Sequence, residues 1–138
     1  MSGMIVSRAT RGRLQLELAQ IEDAAVARWG EHVNARRSTV VTNSAVTLDV
    51  APPGEPEFTI DVMADLESVN MDGTPEQNYD TAAWLRSLMP QDTPRVIVYD
   101  GSWTTHSELT HGATGDSLRH AAIKHDTSGW NANDPDLQ

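Results

Sequence analysis

The spacing of apolar positions changes along the chain, and the first regular stretch predicts a helix. From Arg13 onward, apolar side chains recur at steps of three or four, which places them on one stripe of an amphipathic helix. This stripe contains Leu14, Leu18, Ile21, Ala25, Trp29 and Val33. The predicted helix runs from near Thr10 to about Arg36, with Gly30 weakening its last turns.

The next stretches alternate with a period of two, which indicates strands. Valine and leucine recur between residues 40 and 50, and the proline-rich segment 51–56 that follows is predicted to be a loop. From Phe58 to Glu67, apolar and polar residues alternate, as in a strand with one buried and one solvent face. The solvent face of that strand would carry Asp61, Asp65 and Glu67.

The second half of the chain contains clear start and stop signals. Thr74-Pro75-Glu76-Gln77 forms a capping box with proline at the first helical position, so a helix is predicted to start there and to end before Pro90. The apolar run 96–99 predicts a central strand, and Asp100-Gly101 predicts a hairpin turn with a return strand over 103–109. Thr114 can cap a last helix that extends towards Ile123.

This order of elements predicts an α+β fold. We expect a mostly antiparallel sheet of about four strands, with about three helices packed mainly on one face. Residues 1–125 would form a single domain, and residues 126–138 a polar tail that we expect to be flexible, in which Trp130 is the only large apolar group.

Composition narrows the class of protein further. The 138 residues include no cysteine, which excludes a disulfide scaffold and any thiolate chemistry. No apolar run approaches the length of a membrane span, and the first residues lack the pattern of a secretory signal. The expectation is a soluble cytoplasmic protein that needs no cofactor and contacts neither membrane nor nucleic acid directly.

Charge is distributed unevenly along the chain, whose net charge is -10. Residues 1–37 contain six arginines and four acids. No lysine or arginine occurs between Ser38 and Leu85, where nine acids lie. This stretch would repel nucleic acid and attract a cationic surface, although such acids can also serve only for solubility.

Candidate catalytic and metal-binding residues lack the spacing that their chemistry requires. His106, His111, His120 and His125 occur at intervals that do not match a paired ligand set, and His120 and His125 would face apart on a helix. Asp61 and Asp65 lie too far apart along one strand to hold one Mg²⁺ or Ca²⁺ ion. The residue types of a serine triad and isolated glycines are present, but a nucleophile elbow and a phosphate-binding loop are not.

These observations favour a non-enzymatic, acidic protein-binding module. We expect an inhibitor of the immunity-protein or antitoxin type, or a phosphate mimic, that occludes a cationic site on a toxin or a nucleic-acid-binding protein. The expected partner-binding residues are Asp61, Asp65, Glu67, Glu55, Glu57 and Trp103. One alternative is a self-associating component of a phage particle or secretion machine, whose N-terminal arginines dock on the acidic region of a neighbour. A second alternative is a metal-dependent hydrolase.

Overall fold

One antiparallel sheet carries all the strands of the described part of the chain. The computed structural model describes residues 3–37 and 44–125. The strands are β1 (Met4–Arg8), β2 (Val33–Arg37), β3 (Ser44–Val50), β4 (Phe58–Met63), β5 (Ser68–Met71), β6 (Val96–Asp100), β7 (Thr105–Glu108) and β8 (Ile123–Lys124). The helices are α1 (Leu18–Trp29), α2 (Pro75–Ser87) and α3 (Gly115–His120).

The first strand lies in the middle of the sheet. The strand order is β2-β3-β4-β5-β1-β6-β7-β8, and every neighbouring pair is antiparallel. In β1, Met4 pairs with Met71 on one side and with Asp100 on the other. The chain therefore adds a meander of four strands to one side of β1 and a second meander of three strands to the other.

The core lies between one face of the sheet and the helices. Alternate residues of the central strands are buried, and they form one cluster with the apolar side chains of all three helices. Members of that cluster include Val6, Leu48, Ile60 and Val98 from the sheet and Ile21, Leu85 and Leu118 from the helices. Trp29 of α1 packs edge-on against Phe58 of β4 and Trp84 of α2, which joins the two longer helices to the sheet.

The start of α2 confirms the helix signal in the sequence. The Thr74 hydroxyl accepts a hydrogen bond from the Gln77 backbone N–H at 3.1 Å, and the Gln77 side chain accepts one from the Thr74 backbone N–H at 2.9 Å. This reciprocal capping satisfies two donors that an uncapped helix leaves without partners. The predicted cap of α3 at Thr114 is likewise present, but Ile123, expected in that helix, lies in β8.

The N-terminal helix is shorter than its apolar stripe predicts. It ends at Trp29, a 3-10 turn covers Gly30–His32, and the residues expected to form its last turns form β2 instead. Gly30 has a φ of 56°, a left-handed conformation that glycine adopts without steric cost and that ends a helix. The spacing of Val33 relative to Trp29 matches a helix only by coincidence.

The expected strand from Phe58 to Glu67 is also wrong in its second half. Strand β4 ends at Met63, the chain turns, and β5 returns beside β4. Leu66 is buried in the turn with a φ of 59°, and its backbone N–H donates to the carbonyl of Met63 at 3.0 Å. The alternation of apolar and polar residues continues through this turn, so it does not show where the strand stops.

The α+β class and the antiparallel sheet with three helices are confirmed, but the sheet has eight strands in the described residues and not about four. The difference arises from β1, β2, β5 and β8, which are short and carry weak sequence signals. The strand expected at Val40-Val41 and the tail 126–138 with Trp130 lie outside the described residues.

Candidate functional site

The register of the sheet brings several acidic residues to one of its ends. Because neighbouring strands are antiparallel, the start of β1 lies beside the ends of β5 and β6, and the start of β4 lies beside the end of β3. The loops that precede β1 and β4 and those that follow β3, β5 and β6 therefore lie at the same end of the sheet. This arrangement gathers acids from separate segments of the chain, namely Glu31, Asp49, Glu57, Asp72 and Asp100, which we call the acidic end.

Two adjoining clefts open at the acidic end. The first, of about 580 Å³, is lined by Glu31, Asp49, Glu57 and Asp72. The second, of about 520 Å³, shares Glu57 and Asp72 with the first and adds Asp100. Among the described residues, neither cleft is lined by a lysine or an arginine. Among the described residues that line the two clefts, His32 of the first cleft is the only histidine.

Hydrogen bonds to the backbone hold two of these carboxylates in place. Asp72 accepts a hydrogen bond from the Thr59 backbone N–H at 2.6 Å, across the gap between β5 and β4. Asp100 accepts from the backbone N–H groups of Thr104 and Thr105 and from the Thr104 hydroxyl, within the β6–β7 hairpin. Partial burial alone would raise the pKa of Asp100, but these hydrogen bonds outweigh it and hold the pKa below its ordinary value. Asp100 therefore stays ionised at neutral pH.

One acid of this group already has a cationic partner. The Arg36 guanidinium of β2 donates to both carboxylate oxygens of Asp49, at 2.6 and 3.1 Å. The hydrogen bond and the charge of Asp49 raise the pKa of Arg36. By contrast, Glu57 forms no hydrogen bond or ion pair with a described residue, so its charge remains available at the boundary of the two clefts.

The proline-rich loop before β4 is fixed by α2. The Gln77 side-chain amide donates to the carbonyl of Pro56 at 2.8 Å, and it lies 3.4 Å from Glu55 Oε1. Gln77 thus caps the helix and ties the loop to it. Glu55 and Glu57 are consequently held beside the second cleft by a well-formed helix start.

The structure separates the acids that the sequence placed together. Glu55 and Glu57 belong to the loop at the acidic end. Asp61 lies on the solvent face of β4 and accepts a hydrogen bond from the Thr47 hydroxyl at 2.6 Å. Asp65 and Glu67 lie at the opposite end of β4, in the turn to β5, where Asp65 accepts from the Glu67 backbone N–H at 2.9 Å and Glu67 lies 3.7 Å from Arg11. The expected row of three carboxylates on one strand face does not exist.

Trp103, expected as a possible anchor, lies in the β6–β7 hairpin and packs on its own sheet. Its ring contacts Tyr99 edge-on, with a centroid distance of 5.2 Å, and His125 at 4.2 Å. Its φ is 55°, which is unusual for a residue with a bulky side chain. The indole N–H is buried and has no hydrogen-bond partner among the described residues.

The histidines divide between two environments. His106 and His125, which are far apart in sequence, lie side by side with a nitrogen–nitrogen distance of 2.7 Å. His120 is bonded to the carbonyl of Asp116 in α3, and His111 is exposed in the preceding turn. Within residues 3–37 and 44–125, no group of three histidine, aspartate or glutamate side chains converges in a way that could hold a metal ion.

Sequence reasoning missed four of the five acids at the acidic end, namely Glu31, Asp49, Asp72 and Asp100. A weak signal exists for two of them, since Asp72 and Asp100 each precede a glycine at the end of a strand, where the chain turns. Which turns share one end of the sheet depends on strand order, and that order is not visible in local patterns.

Comparisons with protein-family models, with curated proteins and with solved structures found no significant match to this chain. Across the described residues, no helix combines the length and the apolar character needed to cross a membrane.

Proposed function

We propose that this protein is a non-enzymatic binding module whose acidic end receives a cationic segment of a partner protein. The observation that carries the proposal is the pair of adjoining clefts around Glu57 and Asp72. Among the described residues that line these clefts, five are acidic and none is a lysine or an arginine. An immunity protein, an antitoxin or a phosphate-mimicking inhibitor would use such a surface to occlude the cationic site of a toxin or of a nucleic-acid-binding protein.

Electrostatics supports a cation as the occupant. Like charges that line a cleft with low-dielectric walls concentrate the field, and this raises both the local concentration and the association rate of an opposite charge. The acids are not all neutralised internally. Arg36 pairs with Asp49 and His32 lies 3.8 Å from Glu31, but Glu57, Asp72 and Asp100 form no ion pair with a described residue. A partner that supplies arginines or lysines would neutralise the rest.

The second cleft suits a cationic side chain with a long aliphatic stem. Its lining includes Met4, Pro56 and Tyr79 beside the carboxylates of Glu57, Asp72 and Asp100. Arginine and lysine bury their methylene groups on apolar surface while the charged head reaches a polar rim. The described lining of this cleft offers no cationic side chain to an anion such as a phosphate.

Binding of an arginine-rich peptide tests this proposal. We expect nona-arginine to bind with one peptide per chain, and the affinity to fall steeply as the salt concentration rises from about 50 to about 300 mM, because salt screens exposed charges. Isothermal titration calorimetry at the two salt concentrations measures both quantities, with nona-glutamate as a control that is expected not to bind. Equal affinity at both salt concentrations would contradict an electrostatic site.

A specific observation also favours the alternative of self-association. Strand β1 runs from the acidic end to the opposite end, where it finishes at Arg8 and the segment that follows carries Arg11 and Arg13; Arg11 is almost fully exposed. These arginines share that end with Asp65 and Glu67, and their contact with the acidic end of a second copy would be head-to-tail, which forms rings or open filaments. In this arrangement the cationic segment would come from a second copy of the same chain.

Light scattering of the protein alone distinguishes the two candidates. An inhibitor of another protein is expected to be a monomer or dimer whose mass does not change with salt. A head-to-tail assembly is expected to show a mass that increases with protein concentration and falls when salt is added.

A further inference from the structure

One hydroxyl group in the second cleft has no partner within the described part of the fold. Tyr79 of α2 is only 8% exposed and belongs to the core cluster, yet it lines the second cleft. Its hydroxyl forms no hydrogen bond with a described residue and is not itself buried. The hydroxyl is therefore the polar group that this side chain brings to the cleft, and a phenol oxygen can accept a hydrogen bond from an occupant.

The register of the sheet places carboxylates on different sides of this cleft. Met4 pairs with Met71 of β5 on one side and with Asp100 of β6 on the other, and Asp72 directly follows Met71. The backbones of Met71 and Asp100 are thus two strand spacings apart, about 10 Å, with Met4 between them. Glu57 comes from the loop before β4, at the boundary with the first cleft. An occupant of the second cleft therefore meets acids from three separate segments.

Several acceptor atoms in the second cleft have no donor among the described residues. Asp72 uses Oδ1 to accept from the Thr59 backbone N–H, which leaves its Oδ2. Glu57 has both carboxylate oxygens without a described partner, and Tyr79 adds its hydroxyl. The oxygens of Asp100 are already bound within its own hairpin, so this residue contributes mainly charge. The cleft thus offers acceptors at separate positions and not at one point.

Basic side chains of this chain do not fill the second cleft. All ten lysines and arginines and all five histidines of the sequence fall within residues 3–37 and 44–125, which the structure describes. None of them belongs to the described lining of this cleft. A basic side chain in the cleft would therefore have to come from another molecule.

The N-terminus of α2 also borders this cleft, and its partial positive charge of about half an elementary charge would favour an anion. The three carboxylates in the lining outweigh that charge. The donors of this helix start are also engaged, because Thr74 and Gln77 bond each other in the capping box and Pro75 has no N–H. The arrangement therefore favours a cation with several donors.

We propose that the second cleft is a pocket for an arginine side chain, in which Glu57, Asp72 and the Tyr79 hydroxyl accept hydrogen bonds from the guanidinium. This inference rests on the proposed function, because the arginine belongs to the cationic segment that the acidic end receives. A guanidinium carries five N–H donors in a fixed planar fork and is weakly hydrated, so it can reach acceptors on several sides. An ammonium is a strongly hydrated point charge with three donors. The cleft therefore selects arginine over lysine.

Two peptides of equal charge test this selectivity on the unmodified protein. Nona-lysine is compared by calorimetry, at about 50 mM salt, with the same peptide carrying arginine at its central position. We expect the one-arginine peptide to bind about fivefold more tightly. Equal affinities of the two peptides would overturn the arginine pocket and leave the acidic end as a docking surface. Failure of both peptides and of nona-arginine to bind would overturn the docking surface together with the pocket.

The two tyrosines of the chain provide a matched pair of variants. Tyr79→Phe removes the hydroxyl and keeps the ring, so the advantage of the one-arginine peptide should fall below about twofold. The control Tyr99→Phe makes the same change in β6, outside the described linings of both clefts, and should keep the advantage of about fivefold. Thermal melting verifies that both variants fold. An undiminished advantage in folded Tyr79→Phe would overturn the pocket.

Discussion

Replacing Glu57 by glutamine and Asp72 by asparagine in one variant is expected to weaken the binding of nona-arginine by about tenfold at low salt. Both residues line both clefts, so their charges act on whatever occupies either one. The amide replacements keep the size of each side chain, and the amide oxygen introduced by Asp72→Asn can still accept the hydrogen bond from the Thr59 backbone. Calorimetry measures the affinity, and circular dichroism with thermal melting verifies the fold.

A matched variant at the other end of β4 serves as the control. Asp65→Asn with Glu67→Gln removes the same two residue types and the same total charge, but from the turn between β4 and β5. We expect this variant to bind nona-arginine within about twofold of the unmodified protein, the difference being a weak long-range effect of net charge. Equal loss in both variants would mean that the peptide responds to net charge and not to the clefts.

Replacing Arg86 by methionine is expected to lower the free energy of unfolding by about 3 kcal/mol. Arg86 is 4% exposed, and its guanidinium donates to the carbonyls of Leu109, Pro90 and Gln91 at 3.2, 3.0 and 3.1 Å. It thereby ties the end of α2 to the turn before β6 and to the residue after β7. Methionine fills part of the volume but removes all three hydrogen bonds, of whose acceptors the Pro90 carbonyl keeps the bonds from the Thr93 backbone N–H and hydroxyl.

Urea denaturation measures this loss, and an exposed arginine provides the comparison. Arg119 lies in α3, pairs with Asp116 at 3.2 Å and is 52% exposed. Arg119→Met should therefore cost no more than about 0.5 kcal/mol, as is typical of exposed pairs three residues apart on a helix. Similar losses for the two variants would show that Arg86 does not stabilise the fold through its buried hydrogen bonds.

Elements with a local chemical signal could be predicted from the sequence. The capping box at Thr74 and the proline at position 75 mark the start of α2, and β6 follows from its run of buried apolar residues. The capping hydrogen bonds join residues three apart, and the signal for β6 is a continuous apolar run, so both can be recognised without knowledge of the strand order.

Elements whose stability comes from distant partners could not be predicted in this way. Strand β1 is stabilised by pairing on both sides with segments from the middle and the second half of the chain, as the contacts of Met4 show. The turn at Leu66 lacks the glycine or proline that would mark it, and its apolar residue is buried as in a strand. The local spacing of apolar residues shows neither the strand order that stabilises β1 nor the position of the turn at Leu66.

The site residues expected from the sequence and the acidic end of the structure overlap only in part. The long stretch without basic residues contains three of the five acids at that end, namely Asp49, Glu57 and Asp72. However, the sequence put Asp65 and Glu67 beside Asp61, whereas the turn after Met63 carries them to the end of β4 away from Glu57. The acids that replace them, Asp72 and Asp100, are brought to the clefts by the antiparallel register of β5, β1 and β6.

The most direct measurement is a residue-by-residue map of where a cationic peptide binds. The ¹⁵N-labelled protein is titrated with nona-arginine, and the chemical shift of each backbone amide is followed by NMR. If the acidic end is the docking surface, the largest shift changes cluster at Asp49, Glu57 and Asp72. The amides of Asp65 and Glu67 should change little. Shift changes spread evenly over the acidic residues, or centred on the β4–β5 turn, would contradict the proposed docking surface.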